Sequence, residues 1–272
     1  MNHGPRMFIR GFGRRLARLP FHFQFCWGTL AGTLTVPANL ADEELFESAR
    51  SLRRPAVEEL LRAHYPQVCR IAMSLCGPEM VGLKAARRVM SQSLRMLPTW
   101  ESAADASNWF LHHTVLTSRE ADQGQLGELS QDCLVARVDR PSMEYMAFVR
   151  AFRCLEPQQR EAFVLFRGER LEPRQIAVAM DCSTAAAANH LIAANKTLGT
   201  IAAHTFDAQA AALARVYASL TPPQSLIVGD VNAVARRLAR RRWGRLVKNA
   251  LGLAVLLAIA WAIWRLSRMI VI

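Results

Sequence analysis

Acidic residues are missing from both ends of the chain. None precedes Asp42 and none follows Asp230, although the sequence as a whole carries a formal net charge of +12. Residues 1–41 hold five basic groups, 236–248 hold seven, and Arg265 and Arg268 complete the carboxyl end. Between them, 42–235 has 20 basic against 22 acidic residues, a balance of −2. The basicity therefore belongs to the ends, and bulk electrostatics make no case for nucleic-acid binding by the middle.

Metal and redox motifs are missing as well. The six cysteines (Cys26, Cys69, Cys76, Cys133, Cys154, Cys182) contain no C-x-x-C and no pairing with His at a zinc-ligand spacing. They read as thiols in a reducing compartment, and Cys69 and Cys76, seven apart on one helix face, read as small apolar core residues. The phosphate-cradling G-x-x-x-x-G-K-[ST], the zinc-binding H-E-x-x-H and the nucleophile elbow G-x-S-x-G are all absent. His112 and His113 are helix neighbours that point to different sides. The expectation is a protein that is not an enzyme, with no cofactor and no metal.

What is present is helical periodicity, which predicts an all-α fold. Asp42 stands as an N-cap before a first helix. Residues 57–75, with Leu60, Leu61, Tyr65, Val68 and Ile71 on one stripe, make a second and 83–97 a third, and Pro98-Thr99 breaks the chain before a fourth at 106–118. Trp100, Trp109 and Phe110 read first as packing between helices and second as DNA contacts. Residues 119–141 are polar and contain glycine, as a mobile linker would.

Beyond it, Pro157 opens a helix over 157–166 that carries Ala162, Phe163, Leu165 and Phe166, and Gly168 ends it. Pro173 opens a short helix at 174–180. Asp181-Cys182-Ser183 is a turn in which Ser183 caps a third helix over 184–198. Ile176, Ala177, Met180 and Leu191 face inward. Two short helices across a tight turn form the helix-turn-helix pattern, whose second helix usually enters the DNA major groove.

The string L-E-P-Q-Q-R-E-A-F-V-L at 155–165, R-Q-I-A-V-A-M at 174–180 and S-T-A at 183–185 resembles region 4 of bacterial RNA polymerase sigma factors, in particular the extracytoplasmic-function group. Residues 42–100, followed by Asn108-Trp109-Phe110-Leu111, resemble the region 2 that this group places upstream. The resemblance implies two small helical bundles, region 2-like at 42–118 and region 4-like at 142–200, joined by the linker 119–141. It also implies core RNA polymerase and promoter DNA as partners.

Two working surfaces follow from that resemblance. The polymerase-gripping helix of region 2 normally presents acids and amides, and the matching positions here are Leu83, Lys84, Arg87 and Arg88. Against a basic partner surface, like charges cost several kcal/mol. The recognition helix normally presents Lys and Arg. Here it has Ala186-Ala187-Ala188, leaving Ser183, Asn189, His190, Asn195 and Lys196 as candidate DNA contacts, with Trp109 from region 2. Each lost bidentate base contact forfeits about 1–3 kcal/mol of discrimination. The alanines preserve the helix while thinning the readout. Two functions stand side by side: a sigma-like initiation factor, or a scaffold that no longer reads DNA and holds an unidentified protein partner as an adapter.

After a helix at 207–220, Thr221-Pro222-Pro223 stops the chain and Asp230 is expected to cap a last helix within the connector 201–245. Residues 250–264 are wholly uncharged, short of the ~20 that span a bilayer. Leu246 and Val247 extend the run, and Lys248 and Arg265 can snorkel, giving an expected transmembrane helix at 246–266 and a tail at 267–272. A buried core helix is the alternative. Trp243, Trp261 and Trp264 and the flanking Arg240, Arg241, Arg242, Arg245, Lys248, Arg265 and Arg268 favour the bilayer, with the body on the cytoplasmic face of a single-pass cytoplasmic membrane protein. At the other end, Phe8, Phe12, Leu16 and Leu19 can share one face of a basic arm over 1–41. That arm reads as membrane-surface or partner-binding, with a floppy leader and a secretory signal as alternatives.

Overall fold

The computed structural model describes residues 40–121 and 129–270, without the side chains of 40–42, 238–250, 253 and 262–270. The described residues form helices and no strand: α1 (Leu40–Arg50), α2 (Arg54–Cys76), α3 (Glu79–Met96), α4 (Ala103–Ala121), α5 (Cys133–Ala136), α6 (Met143–Arg153), α7 (Pro157–Arg167), α8 (Pro173–Met180), α9 (Thr184–Ala202), α10 (Phe206–Ser219) and α11 (Gln224–Ile270). The all-α expectation is met. Residues 1–39 of the expected arm over 1–41, and residues 122–128 within the expected linker, lie outside the described residues.

The centre of the structure is α2. Its apolar stripe buries Val57, Leu60, Leu61, Tyr65, Val68 and Ile71 on several sides at once, because α1, α3, α4, α7 and the start of α11 all pack on it. Pro55 opens the helix, where a missing N–H costs nothing, and Gly77 closes it at φ +86. Gly82 then lets α3 lie directly on α2: a Cβ there would stand 2.4 Å from the Met73 Cα. Cys69 and Cys133 are buried with their thiols pushed up to about 12 by desolvation, so both stay neutral and inert.

The sequence suggests two bundles joined by a mobile linker over 119–141. Helices before and after 122–128 share one buried cluster, in which α4 packs on α8 and α2 on α7. The second half of the expected linker is itself structured. Asp132 caps α5 through the Leu134 N–H at 2.9 Å, and Cys133, Leu134 and Val135 are buried. The short apolar run Cys-Leu-Val, inside a segment that is polar on average, is what pulls it into the core.

Two ion pairs and one buried arginine stitch the halves. The Arg153 guanidinium, buried at 6 % exposure, donates two bonds to Asp132 at 2.5 and 2.9 Å and two more to the carbonyls of Ser74 and Leu75 at the end of α2. Arg119 of α4 grips Glu161 of α7 with two bonds at 2.8 and 2.6 Å. Glu169, in the α7–α8 loop, accepts from Gln67 and Arg70 of α2 and from the Tyr217 hydroxyl of α10. A buried pair broken on one side costs about 3–5 kcal/mol, so these contacts hold the halves in register.

Asp230 proves to lie inside α11 and does not cap it. The helix starts at Gln224, where Pro222-Pro223 ends the preceding turn and the Pro223 carbonyl accepts from the Leu226 N–H at 3.0 Å. Ile227, Val231, Val234 and Ala235 are buried against α2 and α3. Further along, Leu251, Val255, Leu256, Leu257, Ile259 and Trp261 are all more than half exposed. Among the described residues no single helix is long and apolar enough to cross a membrane. The expected span 246–266 falls in the distal half of α11, partly on side chains outside the described residues. One bent pair, α8 with 184–219 at 101°, passes on length and composition, yet its Ile176, Ala177, Leu191, Leu198, Leu213 and Tyr217 are buried in the core.

Candidate nucleic-acid interface

The turn between α8 and α9 is built by local chemistry. Gln175 Oε1 accepts from the Glu172 N–H at 3.0 Å, closing a capping box at the start of α8. Asp181 ends α8 in the left-handed region at φ 55, ψ 52, a conformation that short polar side chains tolerate. Ser183 Oγ then accepts from the Ala186 N–H at 3.1 Å and starts α9. The buried edge of α9 is Ala187, Leu191, Ala194 and Leu198, spaced so that one face docks on α6, α7 and α8 and the other turns outward.

On the outward face stand Ser183, Thr184, Ala185, Asn189, Ile192 and Lys196, all exposed, with His190 and Asn195 half-buried at its margins. The structure therefore brings Asn189, His190, Asn195 and Lys196 onto one helix, while the Ser183 hydroxyl is committed to the cap. Asn195 Oδ1 is buried with no hydrogen-bond partner among the described residues. Lys196 is the one lysine or arginine in α9. Trp109 stands apart on α4, in an aromatic cluster with Trp100 at 5.2 Å, Phe110 at 5.4 Å and His113 at 4.1 Å between ring centroids. Burial, with His112 adding its charge, lowers the His113 pKa to about 4. Next to it, a cavity of about 180 Å³ between α4 and α8 is lined by His112, Arg119 and Asp181.

The residues matched to the polymerase-gripping helix are placed on α3. Leu83 is in the core, Lys84 is exposed, and Arg88 pairs with Glu120 at 3.0 Å on the surface. Arg87 donates to Asp230 of α11 at 2.8 Å, and the Tyr65 hydroxyl donates to the same carboxylate. One turn on, Arg237 donates to Ser91 Oγ at 2.9 Å. Arg240, Arg241, Arg242, Arg245, Lys248, Arg265 and Arg268 lie along α11 at positions whose side chains are outside the described residues.

The docking of α11 on α3 is what sequence reasoning missed. Its signal was present: Ile227, Val231, Val234 and Ala235 recur at i, i+4, i+7 and i+8, the pattern of a helix with a partner. The nearby arginines and the apolar run downstream drew attention to the membrane instead.

Residues 145–198 match the family model described as Sigma-70, region 4. The match runs from α6 into α9 and contains every candidate DNA-contacting residue except Trp109. Region 4 is a non-enzymatic DNA-binding domain of transcription initiation, which in general engages promoter DNA and core RNA polymerase. No curated protein and no solved structure matches the chain. Over the matched residues the helix-turn-helix has its caps and its buried edge, and the outward face carries one formal cation.

Proposed function

We propose that this protein is a sigma-like transcription initiation factor of the extracytoplasmic-function type, tethered to the cytoplasmic membrane by the distal half of α11, with its helical body in the cytoplasm. The observation that carries the reading is the region 4 match over a helix-turn-helix whose second helix is exposed along one face. Asn189, His190, Asn195 and Lys196 reach the groove, core RNA polymerase binds the helical body, and the bilayer takes up the apolar residues that α11 leaves bare between Leu251 and Trp261.

A second reading rests on a separate observation. Arg87 and Arg88 already have carboxylate partners, Asp230 and Glu120, and α9 offers a single formal cation. On this reading the sigma scaffold no longer reads DNA and serves as a membrane-anchored adapter for another protein. The test is DNA binding by the detergent-solubilised full chain as salt is raised. An initiation factor binds promoter-bearing DNA, and Lys196→Ala lowers the slope of log K against log salt by about one unit. A chain with no salt-dependent binding is the adapter.

A further inference from the structure

α11 runs unbroken from the body into the apolar run, so distance along its axis fixes where each of its cations stands relative to that run. No carboxylate follows Asp230 in the chain, and the seven cations of 236–248 have no acid among them. Arg236 and Arg237 are exposed, and Arg237 is held to the body by the neutral Ser91 hydroxyl at 2.9 Å. The bare apolar side chains begin at Leu251. At about 1.5 Å per residue, Lys248 stands about 5 Å before Leu251, Arg245 about 9 Å, and Arg242 and Arg241 about 14–15 Å, whereas Arg237 and Arg236 stand more than about 20 Å back. A headgroup layer is about 5–8 Å thick on each side of the hydrocarbon, and the field of a charged leaflet fades over about 8 Å of solution beyond it. Lys248, Arg245, Arg242 and Arg241 fall within that reach, and Arg237 and Arg236 fall outside it.

Helical register adds a side to this distance. Arg241, Arg245 and Lys248 lie at i, i+4 and i+7, one row of the helix, with Arg242 flanking it. Trp243, Leu246 and Ala250 lie at i, i+3 and i+7, and the two rows are about half a turn apart. The helix therefore enters the apolar run with a cationic side and an apolar side. A negatively charged surface above an apolar layer complements both. Duplex DNA complements the first alone.

We propose that Arg241, Arg242, Arg245 and Lys248 form a site for the headgroups of anionic phospholipids, so that the tether prefers negatively charged lipid. The proposal rests on the reading that the distal half of α11 lies in the bilayer, and it adds the class of lipid held there. Cations in one row meet the same patch of headgroups and act on it together.

The test uses the full chain in mild detergent, titrated with phosphatidylglycerol or with phosphatidylcholine of the same acyl chains, and native mass spectrometry reads the dissociation constant of the first lipid bound. Carbonate extraction of membranes from expressing cells reads the tether separately. The expected result is phosphatidylglycerol held about tenfold tighter than phosphatidylcholine, a difference of about 1.4 kcal/mol. Arg241→Gln, Arg245→Gln and Lys248→Gln together remove the preference and Arg236→Gln keeps it, while the thermal midpoint and the carbonate-resistant fraction stay as in the parent. Equal affinity of the parent for the two lipids overturns the site, and a carbonate-resistant parent then leaves the tether standing. A parent absent from that fraction overturns the tether reading and the site with it. Loss of the preference in Arg236→Gln as well as in the triple variant makes it an effect of net charge and also overturns the site. If the triple variant keeps the preference, the lipid is held elsewhere and the proposal falls; a loss of affinity for promoter DNA in that variant then assigns the row to nucleic acid.

Discussion

Over its first three turns α11 buries Ile227, Val231, Val234 and Ala235 against α2 and α3, whereas from Leu251 to Trp261 the same helix leaves six large apolar side chains bare. The two halves do not differ in secondary structure, since one helix runs through both. They differ in pattern. The proximal half spaces its apolar residues for one face and intersperses Asp230 and Asn232, so it can satisfy a groove and water together. The distal half is apolar all round, which no one-sided groove can cover. A helix of that second kind is buried on every side or lies in lipid.

The largest effect should come from charging the bare half. Leu256→Arg together with Ile259→Arg places two cations near the middle of the apolar run, each costing about 3 kcal/mol of bilayer insertion. The doubly substituted chain is expected in the soluble fraction after carbonate extraction, with the thermal midpoint of its body unchanged. Membrane association that survives both arginines would remove the distinction between the halves. The reciprocal experiment is Asp132→Ala, which leaves the Arg153 guanidinium buried against the Ser74 and Leu75 carbonyls without its counter-charge. It should cost about 3–5 kcal/mol of stability in chemical denaturation and leave the membrane fraction as it was.

The comparison is sharpest for one chemical change made in each half. Ile227→Ala removes a side chain that is 3 % exposed and should cost about 2–4 kcal/mol. Leu256→Ala removes one that is 65 % exposed and should leave the detergent-solubilised body within about 0.5 kcal/mol of the parent. Equal costs, measured as the shift in urea midpoint, would mean that the distal half is also packed.

How much of this could be read in the sequence depended on whether the signal was local. The turn at Asp181-Cys182-Ser183, the stop at Gly168 and the starts at Pro157, Pro173 and Ser183 were legible, because caps and prolines act within a few residues. Asp230 was not, because an Asp ahead of an apolar helix is the ordinary mark of an N-cap, and only the Tyr65 and Arg87 side chains, far away in sequence, give it another task. Arg153, Glu161 and Glu169 gave no signal for the same reason: a lone charge in a helix or loop reads as solvated until a partner appears. On α9, the candidate contacts Ser183, Asn189, His190, Asn195 and Lys196 came from the resemblance, and in the structure Ser183, Asn189 and Lys196 are exposed while His190 and Asn195 are half-buried. Trp109 read first as packing and second as a DNA contact, and an aromatic within a helix has the same pattern in either role.

A small effect of pH is also expected, and its histidine part belongs to the body alone, because α11 contains no histidine. His113 lies against Trp109 at 4.1 Å and beside His112, and burial first, with the second imidazole adding to it, holds its pKa at about 4 against an ordinary 6.5. As pH falls through 6.5 the unfolded chain takes up this proton and the folded chain does not. The contribution of the neutral ring is therefore whole above pH 6.5, declines between 6.5 and about 4, and declines no further below that. The ring is only half-buried, so solvent screening keeps the loss to about 1 kcal/mol, or about 2–4 °C in the thermal midpoint. His113→Phe, which keeps a ring beside Trp109, should lose less of its midpoint than the parent between pH 7.5 and 4.5, since the carboxylates that titrate over the same range are common to both. The same difference is expected on the Leu256→Arg, Ile259→Arg background. A larger pH effect on that background would mean that the distal half of α11 leans on α4 and that its apolar face is covered by the body.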